Sequence, residues 1–317
     1  MSDRIVLSSP AQVIAHIPQL LGFHPSNDLV LLFLSHHANT LQCTVRMDVD
    51  VPLVEVQRVV HRLATQTGEG RLLVVAYPDS IESWMSAPLR REVSSLDDVF
   101  AQVDVAVSDV LVVCQGRWWS ALCTDQSCCP PEGRPIPHPA DTSVAVSREV
   151  ALDEYALRPD EALTRIDMTV IADSLPMDLA DRADRALTLL TQLPDAVSPT
   201  LRAELGVLLQ DVNVRDWVLL HVCEDPDSVV VDALVDLALT SPEVLRPRLA
   251  ATAAAALYAT TGRTIGVRAL LTHADGETLA HLVETSIDMC VPPDTVRDLF
   301  TSTRSAVQAR VTPRASA

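Results

Sequence analysis

Lysine is absent from the 317 residues, so all 24 basic side chains are arginine. This excludes a Schiff-base nucleophile, a pyridoxal phosphate anchor and the Gly-Lys-Ser/Thr end of a phosphate-binding loop. Glycine is scarce, at nine residues, and none makes a Gly-x-Gly-x-x-Gly run, so a dinucleotide-binding turn has no support. Long apolar runs are missing as well. The strand-like LVLLFL at 29–34 falls far short of the roughly 20 residues that cross a bilayer. LAATAAAALYA at 249–259 is interrupted by Thr252. The N-terminus MSDRIVLSSPAQVIAHIPQLLG has neither the basic start nor the unbroken apolar core of a signal peptide. Together these absences predict a soluble cytoplasmic protein with no membrane partner. Its cysteines are then expected to be reduced rather than locked in a disulfide framework.

Positive charge is in deficit. Forty-two acidic residues stand against 24 arginines, a net charge of −18, which repels phosphate backbones. No arginine run is interleaved with aromatics, so a nucleic-acid partner is not expected. Arginine without lysine, with abundant Ala, Val and Leu, points to a GC-rich bacterial genome. Hydrophobic residues make up 48% of the chain, enough for well-packed cores, and the length suits two domains of roughly 100–200 residues each.

The two halves differ in pattern. Ser9, Pro10 and Gln12 open a helix with Val13, Ile14, Ile17 and Leu21 on one face; Pro18 should kink or shorten it, and Gly22 should end it. Residues 28–35 read as a buried strand, paired antiparallel with 41–49 across HHANT. A helix at 53–66, a strand at 71–77 and a helix over 88–107 follow. Strands at 109–114 and 117–123 flank Gln115-Gly116, a hairpin signal. The prediction is an α/β domain, a mixed sheet with helices, over 1–146, with a cysteine- and proline-rich loop at 123–140. Residues 147–175 form a connection. An all-α domain follows over 176–310, a paired-helix array of the tetratricopeptide type with helix starts at Ser198-Pro199 and Ser241-Pro242.

Four stretches together carry a resemblance: SPAQVIAHIPQLLGFHPSNDLVLLFL, GRWWSALCTDQSCCPPEGRPIP, LLQDVNVRDWVLL and ATAAAALYATTGRTIGVRALL. On these the chain resembles an actinobacterial family known only as a domain of unknown function. The tryptophan–cysteine–proline segment is the most specific part. The resemblance implies a cytoplasmic protein with an α/β half and a helical half, and it carries over no catalytic residue.

Three of the seven cysteines fall within seven residues. Cys123, Cys128 and Cys129 have the spacing C-x4-C-C, which fits neither the usual C-x2–4-C zinc pairs nor the plant-type iron–sulfur pattern. His138 or Cys114 could complete a set of metal ligands, with zinc as the ion. A reversible disulfide from Cys123 to Cys128 or Cys129 is the second reading, and small buried thiols packing a stiff loop the third. Trp118 and Trp119 lie on one strand and point to opposite faces, so one belongs to the core. The other is either covered by the cysteine loop or offered to a ligand or partner. The loop of His24 reads as a structured turn. Asp211 and Arg215 are spaced for an i,i+4 ion pair, with a partner-binding patch as the alternative. His36, His37, Asp79 and Cys114 are expected near strand ends, where a Cys–His hydrolase site could form.

Three functions follow. The first is a non-enzymatic cytoplasmic adaptor or regulatory module that binds a protein partner through the helical half. The second is a thiol- or metal-dependent module at the 123–129 loop. The third is a small-molecule hydrolase at the strand ends.

Overall fold

The computed structural model describes residues 9–35, 40–100, 103–136, 146–176, 178–195 and 198–311. His36, His37 and His138 therefore lie outside the described residues.

Ser9 caps α1 (Pro10–Leu21) by accepting the Gln12 amide, and Gly22 closes it at φ 82°, donating to the Pro18 carbonyl. The helix runs through Pro18 to Leu21, so the proline, which costs one amide donor within the helix, does not end it; Gly22 does. β1 (Asp28–Ser35) pairs antiparallel with β2 (Leu41–Asp48), as the alternation predicts, and on its other side with β3 (Gly70–Tyr77). The helix between them is α2 (Leu53–Thr67). β3 pairs parallel with β4 (Val105–Cys114), which turns into β5 (Arg117–Ser120) and the two-residue β6 (Arg134–Pro135). Among the described residues the six-stranded sheet thus has the order β2-β1-β3-β4-β5-β6, with one parallel pair.

The single helix expected over 88–107 is instead broken. α3 (Ile81–Ser86), α4 (Pro88–Glu92) and α5 (Leu96–Phe100) are short, and β4 already begins at Val105. Pro88 restarts the chain after Ala87, and Asp104 sits at φ 54°; from there the burial of 105–108 alternates with period two, the signature of a strand. β5 stops at Ser120 rather than 123, because the Ser120 hydroxyl accepts the amides of Leu122 and Cys123 and turns the chain out of the sheet. Gln115 and Gly116, at φ 51° and 74°, form the tight hairpin between β4 and β5.

One face of the sheet packs on α1: Ile14 and Ile17 meet Val30, Leu32, Leu73, Val75, Leu111, Val113 and Trp118. The other face buries Leu29, Leu31, Phe33, Leu72, Val74 and Val112. The turn at Pro25–Asn27 is held by Asp28, almost wholly buried, which accepts the Ser26 amide and pairs with Arg46.

The chain divides into two compact units, residues 1–148 and 149–317. The segment expected as a connection carries α6 (Arg148–Asp153), α7 (Glu161–Thr164) and α8 (Met168–Ser174), and it packs as part of the second unit. Tyr155, Met168 and Leu175 rest on the helical core, and the amides of Arg158 and Asp160 bond the carbonyls of Leu239 and Thr240. Gly266 makes this seating possible, since a Cβ there would lie 2.2 Å from the Tyr155 ring.

Among the described residues, nine further α-helices belong to the unit: α9 (Leu179–Gln192), α10 (Pro199–Leu208), α11 (Val212–Glu224), α12 (Ser228–Thr240), α13 (Arg246–Thr261), α14 (Thr264–Leu271), α15 (Thr278–Asp288), α16 (Pro293–Ser302) and α17 (Arg304–Val311). The array is organised round α13, which touches α11, α12, α14, α15 and α16. Its residues 249–259 are buried on every side, and the alanines let five neighbours approach closely. Ser198-Pro199 does start a helix, but Ser241-Pro242 does not. Ser241 is fully buried at the end of α12, its hydroxyl donating to the Leu237 carbonyl, and a turn precedes α13. No helix among the described residues is long and apolar enough to cross a membrane.

Candidate functional site

The cysteine loop leaves the sheet at Ser120, whose hydroxyl donates to Asp109 Oδ1 at 2.5 Å while accepting two loop amides. Asp125 then folds the loop. Its carboxylate accepts the amide and hydroxyl of Ser127 at 2.8 and 2.7 Å, and its carbonyl accepts the amides of Cys128 and Cys129 at 3.1 and 2.7 Å. Arg134 closes the far side, donating to the carbonyls of Cys128 and Ser127, and Arg117 donates to those of Glu132 and Gly133.

The consequence is convergence. The Sγ atoms of Cys123, Cys128 and Cys129 all lie within 4.8 Å of one another, and all three thiols are free. Adjacent cysteines rarely face one ion, but the shared Asp125 carbonyl curls the backbone so that both sulfurs join that of Cys123. A tetrahedral zinc with Zn–S bonds of about 2.3 Å holds its sulfurs about 3.8 Å apart, so small rotations would bring these three into position. Burial pushes the Cys129 thiol up, and the neighbouring Cys123 and Cys128 add to it. Ionising the set needs a compensating positive charge, which a divalent cation supplies directly.

The Ser127 hydrogen bonds hold the Asp125 carboxyl below the usual carboxylate range. Its folded pKa is the depressed one. The carboxylate's support for the loop is therefore complete above the ordinary Asp pKa and is lost as pH falls through the lower, folded value. Asp125→Ala should speed exchange of the Cys128 and Cys129 amides at neutral pH and abolish the acid-induced step in their exchange, as read by hydrogen exchange of the full chain.

The two tryptophans separate as alternation requires. Trp118 is buried against α1, whereas Trp119, on the other face, is half-buried. Gly133, at φ 73°, lies against Trp119, where an added Cβ would come 3.1 Å from its ring. Trp119 also lines a cavity of about 490 Å³ with Trp84, Cys114 and Ser120. The loop therefore covers part of the ring and leaves part facing the cavity.

Other expected groupings differ. Asp211 caps α11 by accepting the Asn213 amide and pairs with Arg182 of α9, while Arg215 pairs with the adjacent Asp216. The capping role turns the Asp211 carboxylate toward the helix amides, away from an i,i+4 partner. Cys114 ends β4, but burial, with Glu82 and Asp79 nearby, pushes its thiol up, the opposite of what a thiolate nucleophile needs. Ser120, Asp109 and Arg134 also organise the loop, which the sequence alone does not reveal. Asp125-x-Ser127 carries a local turn signal; the other three act through tertiary contacts that no spacing reveals.

A family model described as a domain of unknown function (DUF4192) matches residues 10–294. No curated protein and no solved structure matches the chain.

Proposed function

The chain belongs to the DUF4192 family, and from its own geometry we propose that its N-terminal unit is a metal-dependent module in which Cys123, Cys128 and Cys129 hold one zinc ion as thiolates. The observation that carries this is the approach of three sulfurs to within 4.8 Å on a loop whose backbone is tied by Asp125 and Arg134. Soft thiolates select zinc over hard cations. Three protein ligands leave one coordination position for water or a further side chain. Zinc here would fasten the loop beside Trp119 at the sheet edge.

The test is elemental analysis of protein purified without chelator or added metal. One zinc per chain, lost in Cys123→Ser, is the expected result. A metal-free protein whose mass is two daltons low and restored by reductant would instead identify a disulfide and overturn the metal reading.

A further inference from the structure

We propose that the cavity over the carboxyl ends of β3 and β4 binds a small organic anion with a planar, apolar body and a single carboxylate. At about 490 Å³ it lies within the size range of small-molecule sites. It is placed where α/β sheets bind ligands. α3 follows β3, the β4–β5 turn follows β4, and residues of both line the cavity.

The chemistry of the walls selects the ligand. Trp119, half-buried, offers aromatic surface, and the buried Trp84 backs the wall. Ile81 and Met85 stand at the cavity 42% and 56% exposed, apolar area that a bound apolar body would cover. The charged residues that line it are Arg90, Arg117 and Glu132, and Glu82 and Asp79 stand close to Cys114 at its edge, so a bound anion is met by an individual guanidinium and not by a net positive field. Arg117 is engaged with the carbonyls of Glu132 and Gly133. Arg90 is half-buried, and among the described residues its guanidinium has no hydrogen bond or ion pair. A planar fork of donors beside the Trp119 indole suits a carboxylate on an aromatic or similarly flat body. The proposal does not depend on a metal at the cysteines.

Isothermal titration calorimetry of the full chain with 2-naphthoate and its neutral analogue 2-naphthamide tests it. Wild type should bind the acid saturably and more tightly than the amide. Arg90→Gln should weaken the acid by about tenfold or more and leave the amide unchanged, since a charge-assisted hydrogen bond is lost. Met85→Ser, an exposed change that spares the fold, should weaken both. No saturable binding by wild type, equal affinity for acid and amide, or an Arg90→Gln variant that binds the acid as wild type does would each overturn the proposal, as would a Met85→Ser variant with unchanged affinities.

Discussion

Phe33→Ala is expected to cost the N-terminal unit about 3–5 kcal/mol, the range for deleting a buried aromatic ring. Phe33 is fully buried at the middle of the sheet, where β1 lies between β2 and β3. Its ring fills the space left open by Gly70 of β3, where a Cβ would lie 2.4 Å from the ring and 2.9 Å from the Leu34 carbonyl. Gly70→Ala should therefore destabilise by about 1–3 kcal/mol through overpacking. The two changes should not add. With the ring gone the new methyl has room, so the cost of Gly70→Ala in the Phe33→Ala background should fall by about 1 kcal/mol or more. Urea unfolding followed by tryptophan fluorescence in a Trp217→Phe background reads the N-terminal unit alone, because Trp84, Trp118 and Trp119 all belong to it. Strictly additive costs would show that the ring and the glycine are not in contact.

The second large effect concerns the metal. If zinc binds only the folded loop, free metal at about 1,000 times its dissociation constant stabilises the N-terminal unit by about 4 kcal/mol. Removing zinc with a chelator should lower the unfolding free energy of wild type by that amount, and its midpoint in proportion. Cys123→Ser/Cys129→Ser should start at the lower midpoint and ignore the chelator. Cys43→Ser, in β2, should behave as wild type. The same chelator response in the double variant and in wild type would place the metal elsewhere.

Much of the fold was legible because it rests on local rules. The cap at Ser9, the αL stop at Gly22, the Gln115-Gly116 hairpin and the alternating strands each follow from backbone preferences that a few residues express. The errors fall where tertiary contacts decide. Residues 88–107 carry enough helical period to mislead, yet parallel pairing with β3 draws 105–108 into the sheet. Ser241-Pro242 has the form of a helix start, but its serine is spent on closing α12. The poor spacing of the cysteines argued against a metal, and only the Asp125 turn, visible in three dimensions, brings the sulfurs together. Arg90 and Trp84 gave no signal, because a cavity wall is assembled from separate elements.

A metal bound by the thiolates of Cys123, Cys128 and Cys129 has a direct spectroscopic signature. X-ray absorption at the zinc edge on the protein as purified tests it most directly. Three sulfur scatterers at about 2.3 Å, joined by one lighter atom, are the expected result. An edge with only nitrogen and oxygen neighbours at about 2.0–2.1 Å, or no zinc edge at all, would contradict it.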